Sequence, residues 1–279
     1  MIAFDFEYYK PNSLSEAVNI YKKLSLINKQ PLYYSGGTEI ITMARDNGII
    51  TGAVIDIKGI PECNVFELNN NKLVIGASVT LTQVSESKLF PLISETSRFP
   101  ADHTARNKIS VIGNICGNII YKEAVLGYLV AESGVIIYGE KGKRVLPINQ
   151  AFNKKLQLEK GEFLAQLIVD MSYSQLPYVC VKKTKQGKGG YPLISMAALK
   201  KNNYIQMAFS GVCGFPFRSK SMETDMNNKS IPREKRIQQA ISHLPAPILG
   251  DIQGSAEYRK FVLSNILKDI LVILDGEGR

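Results

Sequence analysis

Residues 33–40 of the chain read Tyr33-Tyr34-Ser35-Gly36-Gly37-Thr38-Glu39-Ile40. The short aromatic run before the glycines predicts a strand, and the paired glycines end it with a turn. A short helix is expected to follow and to end at Gly48. A second glycine segment, nearly without charge, lies further along and reads Ser110-Val111-Ile112-Gly113-Asn114. The sequence predicts that the chain is organised around these two segments and that they meet in space.

The composition of both glycine segments suits a diphosphate. A backbone that binds phosphate must come close and point several N–H groups the same way, often at positive φ, and glycine permits both. Neighbouring Ser, Thr and Asn side chains add donors, and a turn that opens a helix adds the favourable N-terminal dipole. Each segment alone is also compatible with an ordinary turn. Neither segment fits the G-x-G-x-x-G fingerprint or the P-loop.

The composition is that of an ordinary globular protein. The chain has 279 residues, of which 45% are hydrophobic and 21% charged, enough for one large domain or two to three smaller ones. The net charge of +9 is spread over short clusters, and no basic stripe carries interleaved aromatic residues. The charge alone is compatible with a solvated basic surface, an acidic protein partner, a phosphorylated cofactor or a nucleic acid. Because only the charge suggests a nucleic-acid-binding protein, we expect no nucleic-acid partner.

The sequence favours a cytoplasmic protein without membrane contact. No uncharged apolar run approaches the roughly 18 residues that a membrane span requires. The first residues, Met1-Ile2-Ala3-Phe4-Asp5-Phe6-Glu7, are acidic where a signal peptide would be basic. Both observations predict a cytoplasmic location.

Metal and hydrolytic chemistry are not expected of this chain. Its four cysteines are widely separated and form no C-x-x-C pair, so buried thiols are predicted rather than zinc or iron–sulfur ligands. These cysteines are Cys63, Cys116, Cys180 and Cys213. The sequence also shows no Ser/His/Asp set and no paired acids suited to hydrolysis.

The pattern of predicted strands and helices indicates an α+β fold. Strands do not alternate regularly with long helices, which disfavours a doubly wound nucleotide-binding fold. We predict a two-part N-terminal domain, with a small α/β subdomain at 1–58 and a larger mixed α+β subdomain at 59–172. A smaller C-terminal domain of one sheet and helices is predicted at 176–279. Residues 100–118 are predicted to form a structured loop, and residues 219–232 an exposed polar segment.

Three local patterns give further expectations. The capping box Ser13-Leu14-Ser15-Glu16 predicts the start of a helix that runs to about Lys29. The polar run Asn69-Asn70-Asn71-Lys72 between two apolar segments predicts a hairpin turn. The glycine-rich residues 184–190 predict a flexible segment.

Six segments follow one another in an order that is typical of one family. The first three are Phe6-Glu7-Tyr8-Tyr9-Lys10-Pro11-Asn12-Ser13-Leu14-Ser15-Glu16-Ala17, then Ser35-Gly36-Gly37-Thr38-Glu39, then Val54-Ile55-Asp56-Ile57. The others are Leu73-Val74-Ile75-Gly76-Ala77-Ser78-Val79-Thr80, Arg106-Asn107-Lys108-Ile109-Ser110-Val111-Ile112-Gly113-Asn114-Ile115, and Asp251-Ile252-Gln253-Gly254-Ser255-Ala256-Glu257-Tyr258-Arg259. Together they resemble the FAD-binding subunit or domain of the molybdenum hydroxylase family, which includes xanthine dehydrogenases, aldehyde oxidases and the medium subunit of carbon monoxide dehydrogenase. The resemblance covers essentially the whole chain.

This resemblance implies a site for FAD between the two-part flavin domain and the smaller C-terminal domain. The first loop would wrap the diphosphate and the adjoining ribityl chain, and the second loop would hold the other side. Glu123 takes the position of an acidic residue that contacts the nucleotide half, and Lys182 or Lys183 that of a lysine beside the flavin ring. The cofactor-binding residues implied are Tyr33, Tyr34, Ser35, Gly36, Gly37, Thr38, Glu39, Ile40, Ser110, Gly113, Asn114, Glu123, Lys182 and Lys183. No catalytic residue and no metal ligand is implied.

The resemblance also implies a function in electron transfer. In this family a molybdopterin subunit oxidises the organic substrate, and electrons pass through a [2Fe–2S] subunit to FAD and then to NAD or another acceptor. Since this chain lacks cysteine clusters, the iron–sulfur centres would lie on a separate partner in a hetero-oligomer. A xanthine dehydrogenase-like oxidoreductase subunit is therefore expected.

An alternative function follows from two departures in the second loop. Ile109 and Ile112 stand where the family has small residues, and Ile112 replaces the first glycine of a Gly-Gly pair. A β-branched residue resists positive φ and would crowd a phosphate. The alternative is a non-catalytic scaffold or regulatory subunit that has the same fold and weakened or lost FAD binding.

Overall fold

The computed structural model describes residues 2–185 and 190–276. Its strands are β1 (Glu7–Tyr9), β2 (Leu32–Tyr34), β3 (Ala53–Asp56), β4 (Phe66–Asn69), β5 (Lys72–Gly76), β6 (Gly134–Gly139), β7 (Gly142–Pro147), β8 (Phe152–Asn153), β9 (Lys155–Leu156), β10 (Phe163–Asp170), β11 (Tyr178–Thr184), β12 (Pro192–Lys201), β13 (Tyr204–Ser210) and β14 (Phe217–Arg218). Its helices are α1 (Leu14–Leu26), α2 (Thr38–Arg45), α3 (Pro61–Asn64), α4 (Leu81–Ser87), α5 (Pro91–Thr96), α6 (His103–Arg106), α7 (Val111–Cys116), α8 (Val125–Val130), α9 (Ile148–Ala151), α10 (Lys220–Asn227), α11 (Arg233–Ser242) and α12 (Ala256–Asp275). The predicted α+β class is confirmed.

The chain forms two compact units that are interleaved along the sequence. The first unit takes its described residues from Met1–Val84, His103–Gly117 and Ser133–Asp170. The second takes them from Ser85–Asp102, Asn118–Glu132 and Met171–Arg279. The finer division at 1–58, 59–172 and 176–279 stays a prediction.

A small parallel sheet opens the first unit, with strand order β1-β3-β2. Strands β1 and β2 both pair with the central strand β3, because helical connections return the chain in the same direction each time. Helix α1 begins as predicted, since the Ser13 side chain accepts the N–H of Glu16, but it ends at Leu26 rather than near Lys29.

A five-stranded antiparallel sheet forms the rest of the first unit, in the order β4-β5-β10-β6-β7. The predicted hairpin turn joins β4 to β5, and Asn70 and Asn71 both take positive φ there. The central strand β10 is apolar and buried along most of its length, and so is its neighbour β6.

The prediction of a structured loop at 100–118 is wrong, because two short helices lie there. Helix α7 begins where the Ser110 hydroxyl accepts the N–H of Gly113 at 3.1 Å. Its six residues, like the four of α6, are too few to show a helical repeat of apolar residues. The capping residue Ser110 was therefore the feature of the sequence from which helix α7 could have been predicted.

The second unit is built on a four-stranded antiparallel sheet in the order β11-β12-β13-β14. Helices α10 and α12 pack on this sheet, α11 packs against both of these helices, and α5 and α8 also contact the sheet. The shared core is apolar and includes Ile194, Met207, Phe209, Leu267 and Ile270. Residues 186–189, within the segment predicted to be flexible, lie outside the described residues.

The segment at 219–232 that was predicted to be exposed is exposed at Asn228, Lys229 and Ser230, but not throughout. Helix α10 occupies it and buries Met222, Glu223 and Met226. The two methionines are four residues apart and so share one face, and the polar residues around them conceal that pattern. Glu223 is satisfied inside, because it accepts from Arg218 Nε at 2.6 Å and from the Met207 N–H at 2.9 Å.

The cysteines only partly match the expectation of buried thiols. Cys63 and Cys213 are buried, Cys180 is half-buried, and Cys116 is exposed at the end of α7. Within the described residues, no helix is both long and apolar enough to cross a membrane.

We expect Glu223→Gln to lower the free energy of unfolding by about 3 kcal/mol, because it leaves the buried guanidinium of Arg218 without its main carboxylate. Urea unfolding measures this change. The matched control is Glu159→Gln, which removes a 3.0 Å ion pair to Lys141 whose side chains are 65% and 86% exposed. The control should unfold nearly like the wild type. Equal losses in the two variants would contradict the assigned role of Glu223.

Candidate functional site

The first glycine loop lies at one end of the small parallel sheet. Strand β2 ends at Tyr34, and its neighbour β3 ends beside it at Asp56. Gly37 takes φ +70° and forms the N-cap of the eight-residue helix α2. The first turn of a helix leaves N–H groups without helical acceptors, so this loop offers backbone donors in one direction.

The two glycine segments are in direct contact. A Cβ atom at Gly36 would lie 2.1 Å from the Lys108 carbonyl oxygen and 3.0 Å from the Ser110 nitrogen. Both neighbours are backbone atoms, which cannot move aside as a flexible side chain could. Only glycine fits at this position, and the absent side chain lets the two loops meet.

The ring of Tyr34 covers the other glycine of the first loop. A Cβ atom at Gly37 would lie 2.2 Å from this ring. Positive φ favours glycine at this position, and any side chain there would also have to displace the Tyr34 ring.

The second loop is the start of helix α7. Ser110 is 2% exposed and caps the helix, and the Asn114 N–H bonds to the Ser110 carbonyl at 2.9 Å. Ile112 lies within α7, so its backbone is helical, and its side chain is buried. The expected conflict between a β-branched residue and positive φ is therefore absent.

Glu39 connects the two loops from the side of α2. A Cβ atom at Gly117, the residue that ends α7, would lie 2.1 Å from Glu39 Oε2. The carboxylate thus reaches the end of the second loop.

Other side chains predicted to bind the cofactor are engaged within the protein. The Tyr33 hydroxyl donates to the Gly161 carbonyl at 2.8 Å, and its ring lies against Tyr21 and Phe163. Burial raises the pKa of Tyr33. The Ser35 hydroxyl donates to the Ala77 carbonyl at 3.0 Å. The groups of this loop that remain suited to a ligand belong mainly to its backbone.

Lys58 is a residue that the sequence prediction missed. Its Nζ donates to Asp56 Oδ1 at 2.7 Å and to the Ser35 carbonyl at 3.0 Å, and lies 4.4 Å from the centroid of the Tyr34 ring. The signal that could have identified it is its position two residues after Asp56, in the segment Val54-Ile55-Asp56-Ile57 that resembles the family.

Asp56 holds this lysine from a buried position. It is 3% exposed and also accepts the Tyr8 hydroxyl. Burial favours the protonated carboxyl, but the hydrogen bonds from Lys58 and Tyr8 outweigh it and lower the pKa of Asp56. The hydrogen bond between the Tyr8 hydroxyl and Asp56 also raises the pKa of Tyr8 to about 12. A cavity of about 650 Å³ lies beside these groups, with Phe4, Phe6 and Arg45 also in its lining.

The second unit brings two other predicted residues together. Lys182 Nζ lies 3.3 Å from Glu123 Oε2, and Ser195 donates to the other carboxylate oxygen. Lys182 also donates to the Phe99 carbonyl. Burial raises the pKa of Glu123, while Lys182 and Ser195 act in the opposite direction. Lys183 is exposed on the same strand. The roles of Glu123, Lys182 and Lys183 toward a cofactor stay predictions.

The paired loops have the close backbone approach and the helix N-terminus that suit a diphosphate-containing cofactor, and comparison with known proteins identifies the family of the chain. Residues 4–170 match the family described as the FAD binding domain in molybdopterin dehydrogenase. This match spans more than half of the chain, so the chain belongs to that family. FAD is accordingly its cofactor, and the close-approach glycines fit such a group. The chain is an FAD-dependent oxidoreductase subunit of the molybdenum hydroxylase type.

Two relatives show how far the similarity extends. The carbon monoxide dehydrogenase medium chain of Hydrogenophaga pseudoflava is 22% identical over 285 aligned residues, which cover 97% of each chain. The nicotinate dehydrogenase FAD-subunit of Eubacterium barkeri is 23% identical over 175 residues, 60% of this chain and 58% of that one.

Solved structures share the fold. Carbon monoxide dehydrogenase from Hydrogenophaga pseudoflava, in a form that lacks the Mo-pyranopterin moiety, aligns with a TM-score of 0.88 at 21% identity over 99% of both chains. Quinoline 2-oxidoreductase from Pseudomonas putida 86 aligns with a TM-score of 0.84 at 18% identity over 97% of both chains.

Gly37→Ala should weaken FAD binding by about tenfold or more, because the added methyl collides with the Tyr34 ring. Flavin fluorescence during titration of the apoprotein measures the dissociation constant. Gly142→Ala is the matched control, since Gly142 also has positive φ, at +89°, but has nothing within 4 Å of an added Cβ. Each variant places an alanine at positive φ, which costs about 1–2 kcal/mol. If both bound FAD equally, the first loop would be misassigned.

The lowered pKa of Asp56 predicts a pH-dependent stability. The folded chain keeps Asp56 ionised to lower pH than the unfolded chain does, so this stabilisation is fully present above about pH 4. It is lost as the pH falls through the lower folded pKa. Asp56→Asn should therefore melt below the wild type at pH 7, with a gap that narrows in acid. Thermal melts from pH 7 to pH 3 test this, with the exposed Asp46→Asn as control. A difference in melting temperature between Asp56→Asn and the wild type that stays constant with pH would contradict the lowered pKa of Asp56.

Proposed function

We propose that this chain is the FAD-binding electron-transfer subunit of a xanthine dehydrogenase-like molybdenum hydroxylase. It would receive electrons from iron–sulfur centres on a partner subunit and deliver them to NAD or another acceptor. The observation that carries the proposal is the match over 97% of both chains to a protein named as the medium chain of carbon monoxide dehydrogenase. A cytoplasmic location belongs to the same proposal.

The part of this chain in that function is to hold the cofactor. When bound, FAD accepts electrons singly and releases them as a pair. The backbone of Gly36, Gly37 and Thr38 would bind one side of the diphosphate, and Ser110, Gly113 and Asn114 the other. Support comes from the contact between these segments, which requires glycine at Gly36. Glu123 and Lys182 would serve the nucleotide half and the flavin ring respectively.

The proposed partners are a [2Fe–2S] subunit and a molybdopterin subunit in a hetero-oligomer. Two relatives are named as a medium chain and as an FAD-subunit, names that belong to enzymes made of several chains. The four cysteines of this chain are too far apart in sequence for a familiar cluster motif. With a net charge of +9, the chain is suited to a more acidic iron–sulfur partner.

The alternative of a scaffold that has lost FAD gains no support from Ile112. Its side chain is buried in α7, and the backbone there needs no positive φ. Both glycines of the first loop are present: backbone atoms of the second loop exclude a side chain at Gly36, and positive φ favours glycine at Gly37. The electron-transfer function is therefore preferred.

Anaerobic titration of the FAD-loaded chain with NADH tests the acceptor. If NAD is the acceptor, the reverse reaction should bleach the visible flavin absorbance, and Gly37→Ala should show little flavin to bleach. Bleaching by dithionite but not by NADH would point to another acceptor.

Two further outcomes separate the remaining functions. The isolated chain should not oxidise purines or other heteroaromatic substrates, since the molybdopterin subunit would carry that reaction. Oxidation of such a substrate by the isolated chain would contradict the subunit model. A purified chain that contains no flavin and takes up none would instead support the scaffold.

A further inference from the structure

Three side chains form a chain of hydrogen bonds that ends at the first glycine loop. The Tyr8 hydroxyl donates to Asp56 Oδ2, and Asp56 Oδ1 accepts from Lys58 Nζ at 2.7 Å. The same ammonium donates to the Ser35 carbonyl at 3.0 Å. Its position is fixed further by the Tyr34 ring, whose centroid lies 4.4 Å away. Lys58 therefore ties the end of β3 to the loop that follows β2.

The hydrogen bond from Lys58 to the Ser35 carbonyl controls the direction of a backbone donor, the Gly36 N–H. The Ser35 carbonyl and the Gly36 N–H belong to one planar trans peptide and point in opposite directions. A lysine that holds this carbonyl therefore sets the direction of the Gly36 N–H. A glycine needs such a restraint more than other residues, because its own backbone preferences are weak.

Two other contacts hold the same peptide. The Ser35 hydroxyl bonds to the Ala77 carbonyl at 3.0 Å, and the Gly36 Cα is pressed against the backbone of Lys108. The Lys58 bond, in contrast, comes from a side chain that is 44% exposed. It can therefore be altered without opening the core.

We propose that Lys58 is a positioning residue for FAD, which orients the Ser35–Gly36 peptide so that the Gly36 N–H faces the diphosphate. Asp56 and Tyr8 act through Lys58 by holding its ammonium in place. This inference rests on the proposed role of the first loop in binding FAD.

The test compares Lys58→Met with Lys58→Arg in the full chain. Lys58→Met removes the donor, and the dissociation constant for FAD should rise about tenfold, as expected when a charged hydrogen-bond donor is lost. Lys58→Arg keeps a donor and a positive charge and should recover most of the affinity. Tyr8→Phe, which frees one oxygen of Asp56, should give a smaller rise, of about two- to threefold.

Two readouts separate positioning from a merely structural role. The melting temperature of the FAD-free chain should fall modestly in Lys58→Met, because buried Asp56 loses the ammonium but keeps its bonds from the Tyr8 hydroxyl and the Lys58 N–H. Affinity is therefore measured at a temperature at which every variant is fully folded. The absorption maxima of the bound flavin should stay unchanged, because Lys58 holds the loop rather than the flavin ring. Lys141→Met, at an exposed ion pair of the same unit, is the matched control and should change neither affinity nor melting temperature.

The possible failures are distinguishable. If the wild type does not bind FAD, the proposed function fails and this inference fails with it. If the wild type binds FAD and Lys58→Met binds it within twofold as tightly, only the inference on Lys58 is overturned. A loss of affinity that arginine does not restore, with an equal loss of melting temperature in the FAD-free chain, would show that Lys58 acts on folding alone.

Discussion

The contact between Gly36 and the backbone at Lys108 and Ser110 is the constraint on which the proposed cofactor site depends. Two segments separated by some seventy residues reach van der Waals distance there because one of them has no side chain. The rest of the first unit supports this contact. The small parallel sheet places the first loop, and the Ser110 cap starts the helix of the second.

The side chains around this contact serve the loops more than they serve a ligand directly. Tyr33, Ser35 and Glu39 each reach a neighbouring part of the first unit. This arrangement is suited to binding a diphosphate by backbone N–H groups, since such donors must be held rigidly to be effective. Because the side chains of the loop point toward the rest of the first unit, the opposite side of the loop can present its backbone N–H groups to a ligand.

Sequence patterns predicted the elements that have strong local signals. The asparagines at positions 70 and 71 and the capping serine at position 13 each act within a few residues, so their effect could be inferred from the neighbouring sequence. Lys58 was missed because its partners Tyr34 and Ser35 are distant in sequence, at the end of the neighbouring strand β2 and in the loop that follows it. Helix α10 was missed because the polarity of its surface residues concealed the buried face of Met222 and Met226.

The predicted site residues also differ in whether their structural role depends on neighbouring residues or on residues distant in sequence. Gly36 and Gly37 could be chosen from sequence, since glycine at a turn has few physical explanations. The direct pairing of Glu123 with Lys182 could not, because it depends on the packing of α8 against the sheet of the second unit. Buried charges reveal their partners only when the tertiary structure is known.

The interleaving of the two units has a consequence for how this protein can be made and divided. The ribosome completes the sequence of the first unit at Asp170, but by then two segments of the second unit have already emerged. Those segments carry α5 and α8, which bury Ile93, Leu126 and Leu129 and pack against each other and against strands of the sheet β11 to β14. A fragment that stops at the end of the family match would therefore present uncovered apolar helices to solvent. The flavin-binding family segment is thus continuous in sequence but contributes residues to both units.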